Sequence, residues 1–159
     1  MHVRDYTPDD RDACLAVFDS NVPDFFIAPE REDFAAFLDA LPGPYLVVVD
    51  DDGCIVACGG HAVVPETATA DLCWGMVARP LHDTGIGLLL SEQRLRRIAE
   101  DGTASAVSLN TSQHTRGFYE RLGFHAERVT PDGFAPGLDR VDMRLVLREQ
   151  DDVVASDGS

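Results

Sequence analysis

The sequence predicts an α/β fold, built on a mixed and mostly antiparallel sheet of about seven strands. Two observations support this prediction. Short apolar stretches rich in β-branched residues alternate along the chain with longer stretches in which apolar residues recur at helical spacing. The apolar stretch that ends near Val77 also runs through a glycine-containing loop into a helix, so a strand, a loop and a helix follow in direct succession.

Prolines punctuate the N-terminal part of the chain. Residues 3–6 are typical of a short first strand, and Thr7 followed by Pro8 is typical of a helix start, with a hydroxyl N-cap and proline at the first position. This helix is predicted to end near Ser20. A second helix is predicted at 29–41, and the sequence Pro42-Gly43-Pro44 ends it.

The middle of the chain predicts an antiparallel meander. The sequence Asp51-Asp52-Gly53 is typical of a hairpin turn between two strands. The glycine-rich and proline-rich segment 130–139 is predicted as an irregular excursion before the last strand. The strands after the first are predicted at 45–50, 54–64, 67–77, 104–110, 124–129 and 141–147, with a helix at 114–122.

The helix after the glycine loop is predicted to begin at the loop glycines and to reach residue 99. Its predicted apolar face holds Leu88, Leu95, Ile98 and Ala99, which recur at helical spacing. Charged and polar residues occupy the opposite face. We therefore expect this helix to pack on the sheet through those four residues.

Composition limits the classes of protein and partner. The 159 residues are 45% hydrophobic and 26% charged, which predicts a single globular domain at 1–148 and an acidic, disordered tail at 149–159. A net charge of −15 argues against nucleic acid as a partner, because phosphate neutralisation needs a basic face. The sequence lacks an apolar run of membrane-spanning length and a signal-peptide core, so we expect a cytoplasmic protein without membrane contact. Its four cysteines lack metal-type spacing.

The loop between Val77 and the long helix is a candidate anion site. The first amides of a helix have no intrahelical partner and lie at the positive end of its dipole, so they can bind phosphate oxygens. Gly85 and Gly87 allow the backbone to approach a ligand closely. The chain contains no lysine, which argues against a P-loop, and leucines follow Gly87 where a dinucleotide-binding loop has a third glycine. A plain glycine turn is the alternative.

Two motifs identify a family that this chain resembles. The sequence HDTGIG at 82–87 resembles the Q/R-x-x-G-x-G/A loop of the GCN5-related N-acetyltransferases (GNAT), with an apolar strand before it. About thirty residues later, FYERLGF at 118–124 is similar to the tyrosine-containing helix end and following strand of that family. The resemblance covers about 45 to 147. It implies the GNAT fold, a strongly twisted sheet with helices on both faces, and acetyl-CoA as co-substrate without a metal.

The resemblance also implies which residues contact the coenzyme. Backbone groups of the strand would pair with pantetheine, and the loop amides would hold the diphosphate. His82 stands where the family has glutamine or arginine. The implied contacts are made by Gly75, Met76, Val77, His82, Asp83, Thr84, Gly85, Ile86, Gly87, Leu88, Asn110 and Ser112.

Two side chains are implied to carry the chemistry. Tyr119 matches the tyrosine of the family, and a phenol is acidic enough to protonate a departing thiolate. Its alternative role is that of an ordinary helix aromatic. Asp71 lies where some members carry a glutamate that accepts the proton of the acceptor amine, and Glu66 and His61 are the alternative bases.

We therefore expect an N-acetyltransferase that moves an acetyl group from acetyl-CoA to a primary amine, in a small molecule or a peptide. A regulatory or scaffold module that binds CoA without turnover is one alternative, and an enzyme for a longer acyl-CoA is another. A homodimer is expected only from the habit of the family.

Overall fold

The computed structural model describes residues 1–147, so the predicted tail at 149–159 lies outside the described residues. The described chain forms one seven-stranded sheet in the order β1-β2-β3-β4-β5-β7-β6. The strands are β1 (His2–Asp5), β2 (Tyr45–Val49), β3 (Ile55–Val64), β4 (Thr69–Val77), β5 (Ala106–Thr111), β6 (His125–Ala135) and β7 (Leu138–Val146). The α-helices within the described residues are α1 (Arg11–Asp19), α2 (Glu30–Asp39), α3 (Ile86–Asp101) and α4 (Arg116–Arg121).

The strand directions confirm a mixed sheet. β4 pairs in parallel with β5, whereas β1 with β2, β2 with β3, β5 with β7 and β6 with β7 are antiparallel. The predicted fold class is therefore confirmed, and most element bounds agree with the sequence pattern to within about two residues.

The chain divides into two compact units. The first unit comprises Met1–Ala62 and Leu72–Arg97, and the second comprises Val63–Asp71 and the described residues from Ile98 onward.

In the first unit, β2 is buried along its whole length, and alternate residues join different clusters. Val47 packs in a cluster with Phe18 of α1 and Phe34 of α2. Val48 packs in another cluster, with Leu90 of α3. Because successive strand residues point to opposite faces, α1 and α2 cover one face of β2 and α3 covers the other.

The first helical turn is anchored by an acidic side chain. A short 3-10 helix (Pro8–Asp10) precedes α1, and the Asp10 carboxylate accepts a hydrogen bond of 2.8 Å from the Thr7 amide. The same carboxylate accepts two hydrogen bonds from the Arg4 guanidinium, at 2.8 and 3.0 Å. These bonds lower the pKa of Asp10, so its carboxylate stays ionised in the folded protein. The predicted helix start at Thr7 and Pro8 is confirmed, in 3-10 form.

The prediction for the buried face of α3 is partly wrong. Leu88 is 42% exposed and Ala99 is exposed, whereas Ile86, Leu90, Arg94 and Ile98 are buried. The buried stripe repeats every four residues from Ile86, and it includes an arginine. A search for apolar residues alone skips that position and therefore selects a neighbouring face.

In the second unit, the start of β4 pairs with β5, and β5 pairs with β7 over its whole length. β6 and β7 then form a long hairpin. The prediction of an irregular excursion at 130–139 is wrong, since β6 runs to Ala135 and β7 begins at Leu138. Gly137, with φ of +79°, provides the tight turn, and the register shifts between Thr130 and Ala135, where Asp132 has a φ of +54°. The glycines and prolines therefore mark an irregular stretch of strand and a turn rather than a loop.

No helix within residues 1–147 is both long and apolar enough to cross a membrane.

Candidate functional site

The C-terminal end of β4 departs from regular strand geometry. Trp74 has a φ of +43°, a value that costs a bulky residue about 1–3 kcal/mol and that persists only where surrounding contacts impose it. The Tyr45 hydroxyl donates a hydrogen bond of 2.8 Å to the Trp74 carbonyl. Burial raises the pKa of the Tyr45 phenol, so the hydroxyl keeps its proton and remains a donor. Gly75, Met76 and Val77 follow this irregular position directly.

The segment after β4 is a tight loop that leads into α3. Asp83 has a φ of +64° and Gly85 has a φ of +92°, so two left-handed residues turn the chain toward the helix. The Leu89 amide donates to the Gly85 carbonyl at 3.1 Å. The amides of Ile86, Gly87 and Leu88 therefore precede this first bond of the helix, as expected of an anion site. The loop is accessible, since residues 83–85 are exposed.

The His82 side chain turns back toward β4. Its Nε2 lies 2.9 Å from the Val77 carbonyl, which also accepts a hydrogen bond of 2.9 Å from the Asn21 amide group. Since a carbonyl accepts, Nε2 carries the proton in this contact. The imidazole also meets the Phe25 ring edge to face, with 4.8 Å between ring centroids. His82 thus fixes the loop to the strand end through its ring.

Arg79 ties the α1–α2 connection to the same strand end. Its guanidinium lies 5.0 Å from the centre of the Phe25 ring and 2.8 Å from the Asp24 carboxylate. The Arg79 amide donates a hydrogen bond of 3.0 Å to the Ser20 hydroxyl, which belongs to the same connection. The connection between α1 and α2 and the loop before α3 are therefore held as one piece within the first unit.

Asp71 and Ser108 face each other in the second unit. They occupy paired positions of the parallel strands β4 and β5, and the Ser108 hydroxyl donates to the Asp71 carboxylate. Both side chains are half-buried. A hydroxyl that donates to a carboxylate orients one of its oxygens.

Tyr119 lies in the short helix α4 and is half-buried. Its ring meets Phe118 edge to face at 5.1 Å and Phe124 at 5.7 Å between centroids. Gly123, with φ of +102°, ends the helix and allows the Phe124 amide to donate to the Tyr119 carbonyl at 3.1 Å. The Tyr119 ring thus contacts two aromatic rings, and its backbone carbonyl is hydrogen-bonded to Phe124.

The remaining two predicted contacts differ in exposure. Asn110 is exposed near the end of β5. Ser112 is buried, its hydroxyl accepts a hydrogen bond of 3.2 Å from the His114 amide, and its carbonyl accepts one of 3.2 Å from the Arg116 amide. Ser112 therefore helps to begin α4, whatever its contact with a ligand.

The predicted residues fall into two groups. Gly75, Met76, Val77 and residues 82–88 form a continuous part of the first unit, whereas Asp71, Asn110, Ser112 and Tyr119 belong to the second. The residues that hold the first group in place were not predicted from the sequence. Nothing in the sequence around Asn21 indicates its contact with β4. The burial of Arg94 is indicated by its position four residues after Leu90 and four before Ile98.

The chain matches one family of known proteins. The profile described as the Acetyltransferase (GNAT) domain matches residues 12–147. Among solved structures, a protein of Desulfovibrio desulfuricans assigned to the GNAT family is 26% identical, with a TM-score of 0.78 over 91% of this chain and 98% of that one. No curated protein sequence matches the chain.

Two further solved structures are similar in fold. An aminoglycoside 6′-N-acetyltransferase complexed with coenzyme A is 15% identical, with a TM-score of 0.75 over 92% of this chain and 97% of that one. The ribosomal-protein-S18-alanine N-acetyltransferase from Escherichia coli is 18% identical, with a TM-score of 0.74 over 92% of this chain and 93% of that one. At this level of identity the likeness shows the fold alone.

Proposed function

Because the chain belongs to the GNAT acetyltransferase family, we propose that it transfers an acetyl group from acetyl-CoA directly to a primary amine. The observation that carries the proposal is the segment that joins β4 to α3. An irregular strand end, a short 3-10 helix at Arg79–Leu81, two left-handed residues and the start of a helix of 16 residues follow one another there. In such a segment the strand backbone can pair with the amide groups of pantetheine, and the first amides of the helix can bind a diphosphate.

The loop amides bind the diphosphate of the coenzyme in this proposal. The amides of Asp83, Thr84, Gly85, Ile86 and Gly87 supply the donors, and the positive end of the α3 dipole adds to the attraction. Leu88 and His82 flank these donors. Since the His82 ring contacts Val77, we assign His82 the role of fixing the loop. Backbone amides then bind the diphosphate in place of the glutamine or arginine side chain that the family has at this position.

Pantetheine and the thioester are assigned to Gly75, Met76 and Val77. Backbone amides at these positions and the carbonyls of Gly75 and Met76 pair with the amide groups of pantetheine, since the Val77 carbonyl already accepts two hydrogen bonds. One N–H near Met76 polarises the thioester carbonyl. A preorganised donor of this kind is worth about 2.7–4 kcal/mol in systems where one has been removed. Asn110 and Ser112 are assigned secondary contacts to the coenzyme.

The chemistry proceeds in one transfer between the two substrates. Asp71 accepts a proton from the acceptor amine, directly or through water, while Ser108 holds the carboxylate in place. The amine nitrogen then forms a bond to the thioester carbon, and the negative charge that develops on the carbonyl oxygen is met by the backbone N–H. As the carbon–sulfur bond breaks, Tyr119 gives its proton to the departing thiolate, which leaves an amide and free CoA.

Two observations support an amine as acceptor. Two structural neighbours are named for acetylation of an aminoglycoside and of the alanine of a ribosomal protein, both through nitrogen. The net charge of −15 also favours a cationic acceptor. The cytoplasmic location, the independence from metal and the homodimer expected from the sequence remain predictions.

Calorimetry and product analysis test the proposal. We expect heat on titration with CoA and with acetyl-CoA, and release of CoA that depends on an added amine from a panel of aminoglycosides, amino acids and peptides with a free N-terminus. CoA is measured by chromatography, because the exposed thiol of Cys54 would react with thiol reagents.

Each alternative has its own result in this experiment. If neither CoA nor acetyl-CoA produces heat on titration, the proposal is contradicted. Heat without CoA release on any amine favours a regulatory module that binds CoA. Faster release from a longer acyl-CoA, in competition with acetyl-CoA, identifies a different acyl donor.

A further inference from the structure

Arg94 is a buried cation in the first unit. Its side chain is 1% exposed, although a guanidinium is always charged in proteins. It occupies the stripe of α3 that faces the sheet, between Leu90 and Ile98. Removing a charge from water is costly unless a partner compensates it, so this position needs an explanation.

Its polar contacts leave the charge uncompensated. Nη1 lies 3.4 Å from the Gly60 carbonyl, and the buried Nε has no hydrogen-bond partner. Within residues 1–147, the ion pairs of the structure do not include Arg94. In a medium of low dielectric constant, an uncompensated charge acts over a longer range than a paired one.

The guanidinium lies against two glycines of neighbouring strands. A Cβ atom on Gly75 of β4 would come within 2.7 Å of Nη2 and 2.8 Å of Nη1. A Cβ atom on Gly59 of β3 would come within 3.1 Å of Nη1. These two positions accommodate the guanidinium only because they have no side chain.

The contact falls where β4 is irregular. Trp74, with its positive φ, directly precedes Gly75, and its carbonyl accepts the Tyr45 hydroxyl. Tyr45 and Trp74 pack with α1 and α2, whereas Arg94 reaches Gly75 from α3. The backbone at 74–75 is therefore held from both faces of the strand.

We propose that Arg94 is a positioning residue for the acyl group of the coenzyme: its guanidinium fixes the backbone at Gly75, and its uncompensated charge polarises the thioester carbonyl that lies along β4. This inference rests on the proposed function, which assigns the thioester to Gly75, Met76 and Val77. A purely structural role would be filled as well by an apolar side chain of equal length, since replacing a buried charge with an apolar group often leaves a protein as stable or more stable.

The test measures the thioester carbonyl itself and needs no acceptor. Acetyl-CoA carrying ¹³C at the carbonyl is bound to the protein, and isotope-edited infrared difference spectra report its stretching frequency. We expect a shift to lower frequency on binding to the wild-type chain. Arg94→Met and Arg94→Gln both remove the charge and should lose most of this shift.

Two controls separate polarisation from loss of fold or affinity. Arg96→Met changes an exposed arginine of the same helix and should leave the band at the wild-type frequency. The affinity for CoA, which has no thioester, should fall by no more than about tenfold in Arg94→Met and Arg94→Gln, because the diphosphate donors are unchanged and only the pantetheine contacts near Gly75 lose support. Circular dichroism identifies any variant that does not fold. If one of the two neutral variants fails to fold, the infrared spectrum of the other one tests the inference.

The outcomes distinguish this inference from the proposed function. If either folded neutral variant keeps the wild-type band, the inference is overturned. If the wild-type chain does not bind acetyl-CoA, the proposed function fails before any variant is compared.

Discussion

The loop before α3 and the pair formed by Asp71 and Ser108 offer a ligand different kinds of chemical group. The loop presents main-chain amides, whose positions depend on the positive φ values of Asp83 and Gly85. The pair presents a carboxylate that accepts a hydrogen bond from a hydroxyl. Tyr119 belongs with the pair in this respect, because the role that we propose for it depends on its side-chain hydroxyl.

This difference predicts how each part responds to substitution. Most side chains can change in a site made of amides, provided that the backbone keeps its path, because every residue except proline has the same N–H group. A site made of side chains loses its chemistry with a single change. Binding of the coenzyme and transfer of the acyl group are therefore expected to respond to different substitutions.

The largest effect is expected from Tyr119→Phe. The change removes only the hydroxyl and keeps the ring contacts with Phe118 and Phe124. Loss of a general acid should lower kcat by about 10²-fold to 10⁴-fold. The affinity for acetyl-CoA in calorimetry should stay near that of the wild type, and an unchanged kcat would remove the assigned role.

Asp71→Asn should have the next largest effect. The amide is similar in size but does not accept a proton at neutral pH, so the rate of transfer should fall by about 10²-fold. Ser108→Ala leaves the carboxylate and removes only its hydrogen bond, so the fall should be about tenfold or less. Steady-state rates with the best amine of the panel measure both. Equal losses in the two variants would contradict the assignment of Asp71 as base.

Gly85→Ala tests the loop as a backbone site. The φ of +92° disfavours alanine, while a Cβ at this position meets no atom within 4 Å, so the change adds backbone strain without a clash. The free loop should relax, and binding would have to restore its path at a cost of about 1–2 kcal/mol, which lowers the affinity for CoA by about 5-fold to 30-fold. Calorimetry with CoA gives this value directly.

His82→Ala should have the smallest effect on the coenzyme. The imidazole contacts Val77 and Phe25, so its loss loosens the loop but removes none of the amide donors. We expect the affinity for CoA to fall by less than about threefold. A larger loss in His82→Ala than in Gly85→Ala would reverse the comparison and place the diphosphate on the imidazole.

The sequence predicted the fold well wherever the signal was local. Proline and glycine near the helix ends, the turn at 51–53 and the apolar alternation of the central strands each act over a few residues. The fold class and most element bounds could therefore be predicted. The β6–β7 hairpin could not, because pairing between Thr130 and Arg140 compensates for residues that are individually poor in strands.

Only part of the candidate site could be predicted from the sequence. Two short motifs predict its loop and its tyrosine. The residues that hold the loop and the strand end in place could not be predicted, because their contacts join residues far apart in the chain. The Asn21 amide reaches Val77 and the Tyr45 hydroxyl reaches Trp74, and nothing in the neighbourhood of either donor in the sequence indicates its partner.

The contact of Arg94 with Gly59 and Gly75 constrains the order in which these three positions can change. Alanine at 75 introduces a methyl group 2.7 Å from a guanidinium nitrogen, so the buried arginine side chain has to shift. Shortening residue 94 first creates the space that the methyl group needs. Libraries that randomise position 75 alone should therefore favour glycine, and larger residues at that position should be better tolerated in chains that have already lost the arginine.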